Sequence, residues 1–137
     1  MSHLKLATPK DTFTIILPVK SGSLVCAITN SMFTISSKMP DCPKFFATGS
    51  AAVKNIFRVD DKVVHWEWSH QEMYSVLHML VNYINATELY IEKHMRHEPN
   101  SEVEADKKDQ RFVADIIYEI KNQAERQGFQ LNDEMES

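Results

Sequence analysis

The chain has 137 residues, of which 43% are apolar and 25% charged, with three glycines, five prolines, two cysteines and a formal net charge of −4. That length suits one domain able to bury a core without staples, and the composition excludes a disordered chain and a disulfide framework. No run approaches the roughly 18 to 20 apolar residues of a membrane span, and no apolar leader follows a basic start, so a cytoplasmic protein is expected.

The charge is unevenly spread. Residues 1–68 hold eight Lys/Arg against five Asp/Glu, a balance of +3, and residues 69–137 hold seven against fourteen, a balance of −7. An acidic C-terminal half of this kind can meet a basic partner or simply form a solvated helical face.

Residues 1–10 show no period and read as a short arm. From Thr12, Phe13, Ile15, Leu17 and Val19 alternate with Thr12, Thr14, Ile16 and Lys20, the period of two of a strand with one buried face. After Ser21-Gly22-Ser23, the alternation of Leu24, Cys26 and Ile28 with Val25, Ala27 and Thr29 predicts a second strand, apolar on both sides. Residues 32–37 predict a third, through Phe33 and Ile35, and residues 44–48 a fourth, beyond a turn made rigid by Pro40 and Pro43. Residues 49–57 can open a short helix, but 53–68 scans better as a hairpin about Asp60-Asp61, with Val64, Trp66 and Trp68 opposed to Val63, His65 and Glu67.

The strongest signal is a long amphipathic helix over residues 69–98. Ser69 and Glu72 form a capping box, Trp68 can staple onto Met73, and Pro99 ends it. Met73, Leu77, Leu80, Ile84, Ile91 and Met95 share one arc, with Val76, Tyr83, Tyr90 and Val81 on its shoulders. A second helix over 101–127 opens on Ser101 and Glu104, packs its later half through Phe112, Val113, Ile116, Ile117, Ile120 and Ala124, and stops at Gly128, where Phe129 can fold back. The expected fold is therefore α+β: an antiparallel meander of five or six strands over about residues 12–68, then two helices, in one domain spanning 1–128 with a disordered acidic tail at 129–137.

No catalytic residue or cofactor site is expected. Three glycines cannot build a phosphate loop or a dinucleotide fingerprint. His65, Glu67 and His70 make an H-x-E-x-x-H run, yet the helical zinc signature needs two histidines on one helix, and the deaminase pattern needs a downstream cysteine pair. A polar strand face running into a helix cap accounts for all three, and His94, His97 and Glu98 suit the negative end of a helix dipole.

Paired strands followed by Lys44-Phe45-Phe46-Ala47-Thr48-Gly49-Ser50-Ala51-Ala52 resemble the front half of the proteasome-like N-terminal-nucleophile hydrolases, over about 40 residues. The resemblance implies a nucleophile exposed by processing. This chain departs from it in beginning Met1-Ser2, in starting its first strand near Thr12 and in being short for that four-layer fold, and no residue is carried over. A further alternative is single-stranded nucleic-acid binding, because Lys44, Lys54 and Arg58 interleave with Phe46 and Phe57 as in a basic stacking platform. The leading expectation is a non-enzymatic interaction protein, an adaptor, inhibitor or assembly factor. The apolar arc of its long helix exceeds what one core contact needs and leaves Met79, Val81, Tyr83, Tyr90 and Met95 for another protein or a second copy.

Overall fold

The computed structural model describes residues 12–95 and 101–129, with side chains for 12–92 and 107–129. Its elements run β1 (Thr12–Pro18), α1 (Val19–Ser36), α2 (Lys44–Lys54), β2 (Arg58–Asp60), β3 (Val63–Ser69), α3 (His70–Met95) and α4 (Ser101–Arg126). The class is α+β with an antiparallel sheet, but the expected five- or six-stranded meander followed by two helices is not found. The described residues hold three strands in the order β1-β3-β2 and four helices. Residues 1–11 and 130–137, covering the expected arm and all of the expected tail but Phe129, lie outside the described residues.

The correction centres on α1, which spans the expected second and third strands. Its buried residues are Ser21, Gly22, Val25, Ile28 and Thr29, spaced by three and four as a helix requires. Three of these five are Ser, Gly and Thr, so the buried stripe is nearly invisible to hydropathy, while the alternation of Leu24, Cys26 and Ile28 imitates a strand. Small residues are required there because the helix lies close on the sheet: a Cβ at Gly22 would come 3.2 Å from Val64 Cγ2 and 3.3 Å from Trp66 Cη2. Thr29 Oγ1 donates to the Val25 carbonyl at 2.9 Å, which satisfies a buried hydroxyl inside the helix.

The expected fourth strand is also helical. In α2 the buried positions are Phe46, Gly49, Ser50, Ala52 and Val53, again a helical stripe of mostly small residues. The resemblance to N-terminal-nucleophile hydrolases therefore loses its paired strands, since only β1 is a strand between Thr12 and Lys54. Two indoles tie α2 to the sheet. Trp66 Nε1–H donates to the Val53 carbonyl at 2.9 Å and Trp68 Nε1–H to the Ala52 carbonyl at 3.1 Å, serving last-turn acceptors that have no partner within the helix.

The hairpin expected over 53–68 is shorter than expected, because Val53 and Lys54 close α2 and β2 begins only at Arg58; its tight turn lies at Asp61-Lys62, with Asp61 at φ 51°, one residue later than expected. In β1 and β3, Phe13↔Trp68, Ile15↔Trp66 and Leu17↔Val64 are paired, and all six residues are buried on the face that meets the helices. Val19, expected on that face, instead opens α1 and is exposed.

The described part of the second half forms the two expected helices, while the expected stop at Pro99 lies outside the described residues. Ser69 N–H donates to Glu72 Oε1 at 2.8 Å and Glu72 N–H to Ser69 Oγ at 3.1 Å, the reciprocal capping box. At the end of α4, Gly128 takes φ 100° and Phe129 N–H returns to the Ala124 carbonyl at 3.0 Å. Phe129 is then buried edge-on against Phe13, with ring centroids 5.3 Å apart. Met73, Val76, Leu77, Met79 and Leu80 are fully buried, so the first three turns of α3 form the centre of the molecule, enclosed by the sheet, α1, α2 and α4. No helix of the described residues is long and apolar enough to cross a membrane.

Candidate functional site

Beyond Leu80 the enclosure of α3 becomes one-sided, with Ile91 still buried. Val81, Tyr83 and Ile84 are half-buried, and Leu89 and Tyr90 are exposed, at 69% and 47%. Alongside them runs the outer side of α1, whose Ile35 is 66% exposed. Between the two helices lies an open trough of about 460 Å³, lined by Ala27, Ile28, Met32 and Ile35 from α1 and by Tyr83 and Tyr90 from α3. At Ala27 it adjoins a second trough of about 680 Å³ between α1 and α4, where Leu24 and Phe112 form the floor and Lys20, Lys108 and Asp109 the rim. The surface is thus apolar at one end and mixed in charge at the other.

Of the residues expected to meet a partner, the structure brings Tyr83 and Tyr90 together in this trough. Met79 is fully buried, packed where α3 crosses α2, and offers no surface. Val81 is half-buried and does not line the trough, and the side chains of Met95, His94, His97 and Glu98 lie outside the described residues. Sequence reasoning missed the other wall. The alternation in the sequence puts Ile28, Met32 and Ile35 on strands, whereas the helical turn of α1 brings all three to one side.

The residues of the nucleic-acid alternative are scattered. Lys44 and Lys54 sit at opposite ends of α2, and Phe46 is buried. Phe57 immediately precedes Arg58, the first residue of β2, but Arg58 Nε lies 3.0 Å from Asp60 Oδ2, so its charge is matched within the strand. The H-x-E-x-x-H run is spread likewise. His65 Nε2 lies 3.3 Å from Asp60 Oδ2, outside hydrogen-bonding geometry; Glu67 accepts from Thr12 and Thr14 hydroxyls; and the His70 ring packs on Phe13 and Phe129. Among the described residues no three His, Cys, Asp or Glu side chains converge as metal ligands.

The two edges of the sheet differ. At β1, Thr14 N–H donates to Gln127 Oε1 at 2.8 Å and Gln127 Nε2 to the Thr14 carbonyl at 2.7 Å. Gln123 makes the same pair of bonds with Ile16, at 2.8 and 2.7 Å. Four helical residues advance about 6 Å and two strand residues about 6.7 Å, so two glutamines one turn apart match consecutive outward-facing residues of a strand. At the other edge, Arg58, Val59 and Asp60 of β2 are all exposed. Beside β2 opens a cleft of about 420 Å³ lined by Val19, Cys26, Ile56, Val59 and Val64, and burial pushes the Cys26 thiol up from its ordinary pKa.

Comparison of the chain with protein-family models, with curated proteins and with solved structures finds no match, so the functional reading is carried by the geometry of this surface.

Proposed function

We propose that the chain is a non-enzymatic protein-interaction domain whose trough between α1 and α3 receives the apolar face of an amphipathic helix from another protein. The observation that carries this reading is the juxtaposition of Ile28, Met32 and Ile35 with Tyr83 and Tyr90 in an open, apolar, helix-walled groove. Grooves of this kind accept anchors spaced i, i+3, i+4 and i+7 along a partner helix, and buried aromatics dominate the energetics of such contacts. The lysine and aspartate rim of the adjoining trough then governs register and encounter rate more than affinity.

The test is affinity purification from the native host with the full chain as bait, run beside Ile35→Glu/Tyr90→Glu and a control, Tyr118→Glu, in which a 68% exposed aromatic on α4 is altered. A partner should be lost with the trough variant and kept with the control. Its purified helical segment should bind the wild-type chain directly and the trough variant at least about thirtyfold more weakly, the scale of a 2 kcal/mol anchor. If every recovered protein is indifferent to Ile35 and Tyr90 while both variants keep the wild-type circular dichroism, the proposal fails.

A further inference from the structure

We propose that the chain also associates with a second copy of itself, through antiparallel pairing of β2 with β2 about a two-fold axis at Val59. This surface is separate from the trough, and neither proposal rests on the other.

The first observation is which backbone groups remain at the open edge. Thr14 and Ile16 turn their backbone groups outward to Gln127, just past α4, and Gln123 within it, so Phe13, Ile15 and Leu17 turn theirs toward β3. Their partners Trp68, Trp66 and Val64 face β1, which leaves Val63 and His65 facing β2. Asp60 and Arg58 answer them, and Val59 is left with its N–H and C=O pointing away from the sheet. A strand edge with free backbone groups is a template for another strand, and among the described residues one edge is covered by side-chain amides and the other is not.

The second observation is the identity of the three residues. When Val59 lies opposite its own copy, Arg58 falls opposite Asp60 of the second copy, and Asp60 opposite Arg58. The segment is self-complementary in charge, and in antiparallel pairing alone. Both charged side chains are exposed, at 57% and 52%, and already lie 3.0 Å apart within one chain, so the dimer would assemble an alternating cluster of four charges.

The third is apolar exposure at the same place. Val59 is paired with Val64 and so lies on the helix-facing side of the sheet, over the cleft that contains Val19 and Ile56. Val59 is 57% exposed, Ile56 40% and Val19 38%. Directly opposed strand residues project to the same face, so a second Val59 would lie against the first and extend the apolar cover of the cleft. The product is a continuous six-stranded antiparallel sheet, ending at both sides in a β1 edge covered by glutamines.

The test uses charge reversal and mixing. Sedimentation velocity of the full chain from roughly micromolar to about millimolar concentration should show a monomer–dimer equilibrium. Arg58→Asp and Asp60→Arg each place two like-charged pairs in the interface and should each weaken self-association about tenfold. An equimolar mixture of the two variants restores both opposite-charge pairs, and native mass spectrometry should find the heterodimer in excess of either homodimer. An intrachain role for Arg58 and Asp60 cannot produce that rescue. A wild-type chain that stays monomeric to millimolar concentration, or folded variants whose mixture is no more dimeric than either alone, would overturn the proposal.

Discussion

Gln127 bonds to both backbone groups of a residue 113 positions earlier, and its environment decides its worth. Its two bonds to Thr14 are part-buried, whereas the bonds of Gln123 to Ile16 are exposed and water can replace them. Gln127→Ala should therefore lower unfolding stability by about 1–2 kcal/mol and Gln123→Ala by less than about 1 kcal/mol in urea titrations. Equal losses from the two substitutions would show that burial is not what separates them. No hydropathy pattern marks either glutamine. Their spacing of four places them on one face of a helix, but which strand that face would meet is a tertiary fact. By contrast Ser69, Glu72, Gly128 and Phe129 were legible individually, because capping boxes and left-handed helix stops are local chemistry that needs no distant partner.

The same division holds for whole elements. α3 and α4 display broad apolar stripes between recognisable caps, and β3 alternates cleanly, so these were readable from residue periodicity. The helices α1 and α2 were not, because their buried stripes are built from Ser21, Gly22, Thr29, Gly49 and Ser50, chosen for closeness rather than hydrophobicity. Their strand-like residues Val25, Ile28 and Val53 were overridden by tertiary packing. Half of the candidate trough was hidden for the same reason, since its α1 wall exists only once that segment is helical. The spacing between α2 and α3 is a direct consequence. A Cβ at Gly49 would lie 2.5 Å from Met79 Sδ and 3.3 Å from backbone atoms of Ser75. Met79 can rotate, but the backbone of Ser75 cannot retreat without moving a helix. Gly49→Ala should thus destabilise the fold by about 1–3 kcal/mol in thermal or urea unfolding, although alanine is the better helix former in isolation. A stabilised variant would mean that the two helices are not held at this distance.

At the scale of the molecule, the basic and acidic halves of the sequence are not separate bodies. β1 from the front pairs with β3, and its free edge is closed by the last turn of α4 and the turn after it, so the beginning and end of the described chain meet along one strand. Phe129 completes the junction by packing on Phe13 and His70. Removing everything after Ile120 deletes both glutamines and Phe129 while leaving most of the core in place. The shortened chain should lose the cover of its β1 edge and convert to thioflavin-positive aggregates at concentrations where the full chain stays clear. Clear solutions of the truncated chain would show that the edge is guarded by something else.

That closure also sets an order of events during synthesis. β1 is translated before everything that completes it: its sheet partner follows with residues 63–69, but its edge waits for Gln123 and Gln127. A strand edge whose cover comes 113 and 107 positions later cannot be completed while the intervening chain is still being made. The edge is vulnerable from the pairing of β1 with β3 until residue 127 is added, and slow translation of residues 70–127 would lengthen its dependence on chaperones.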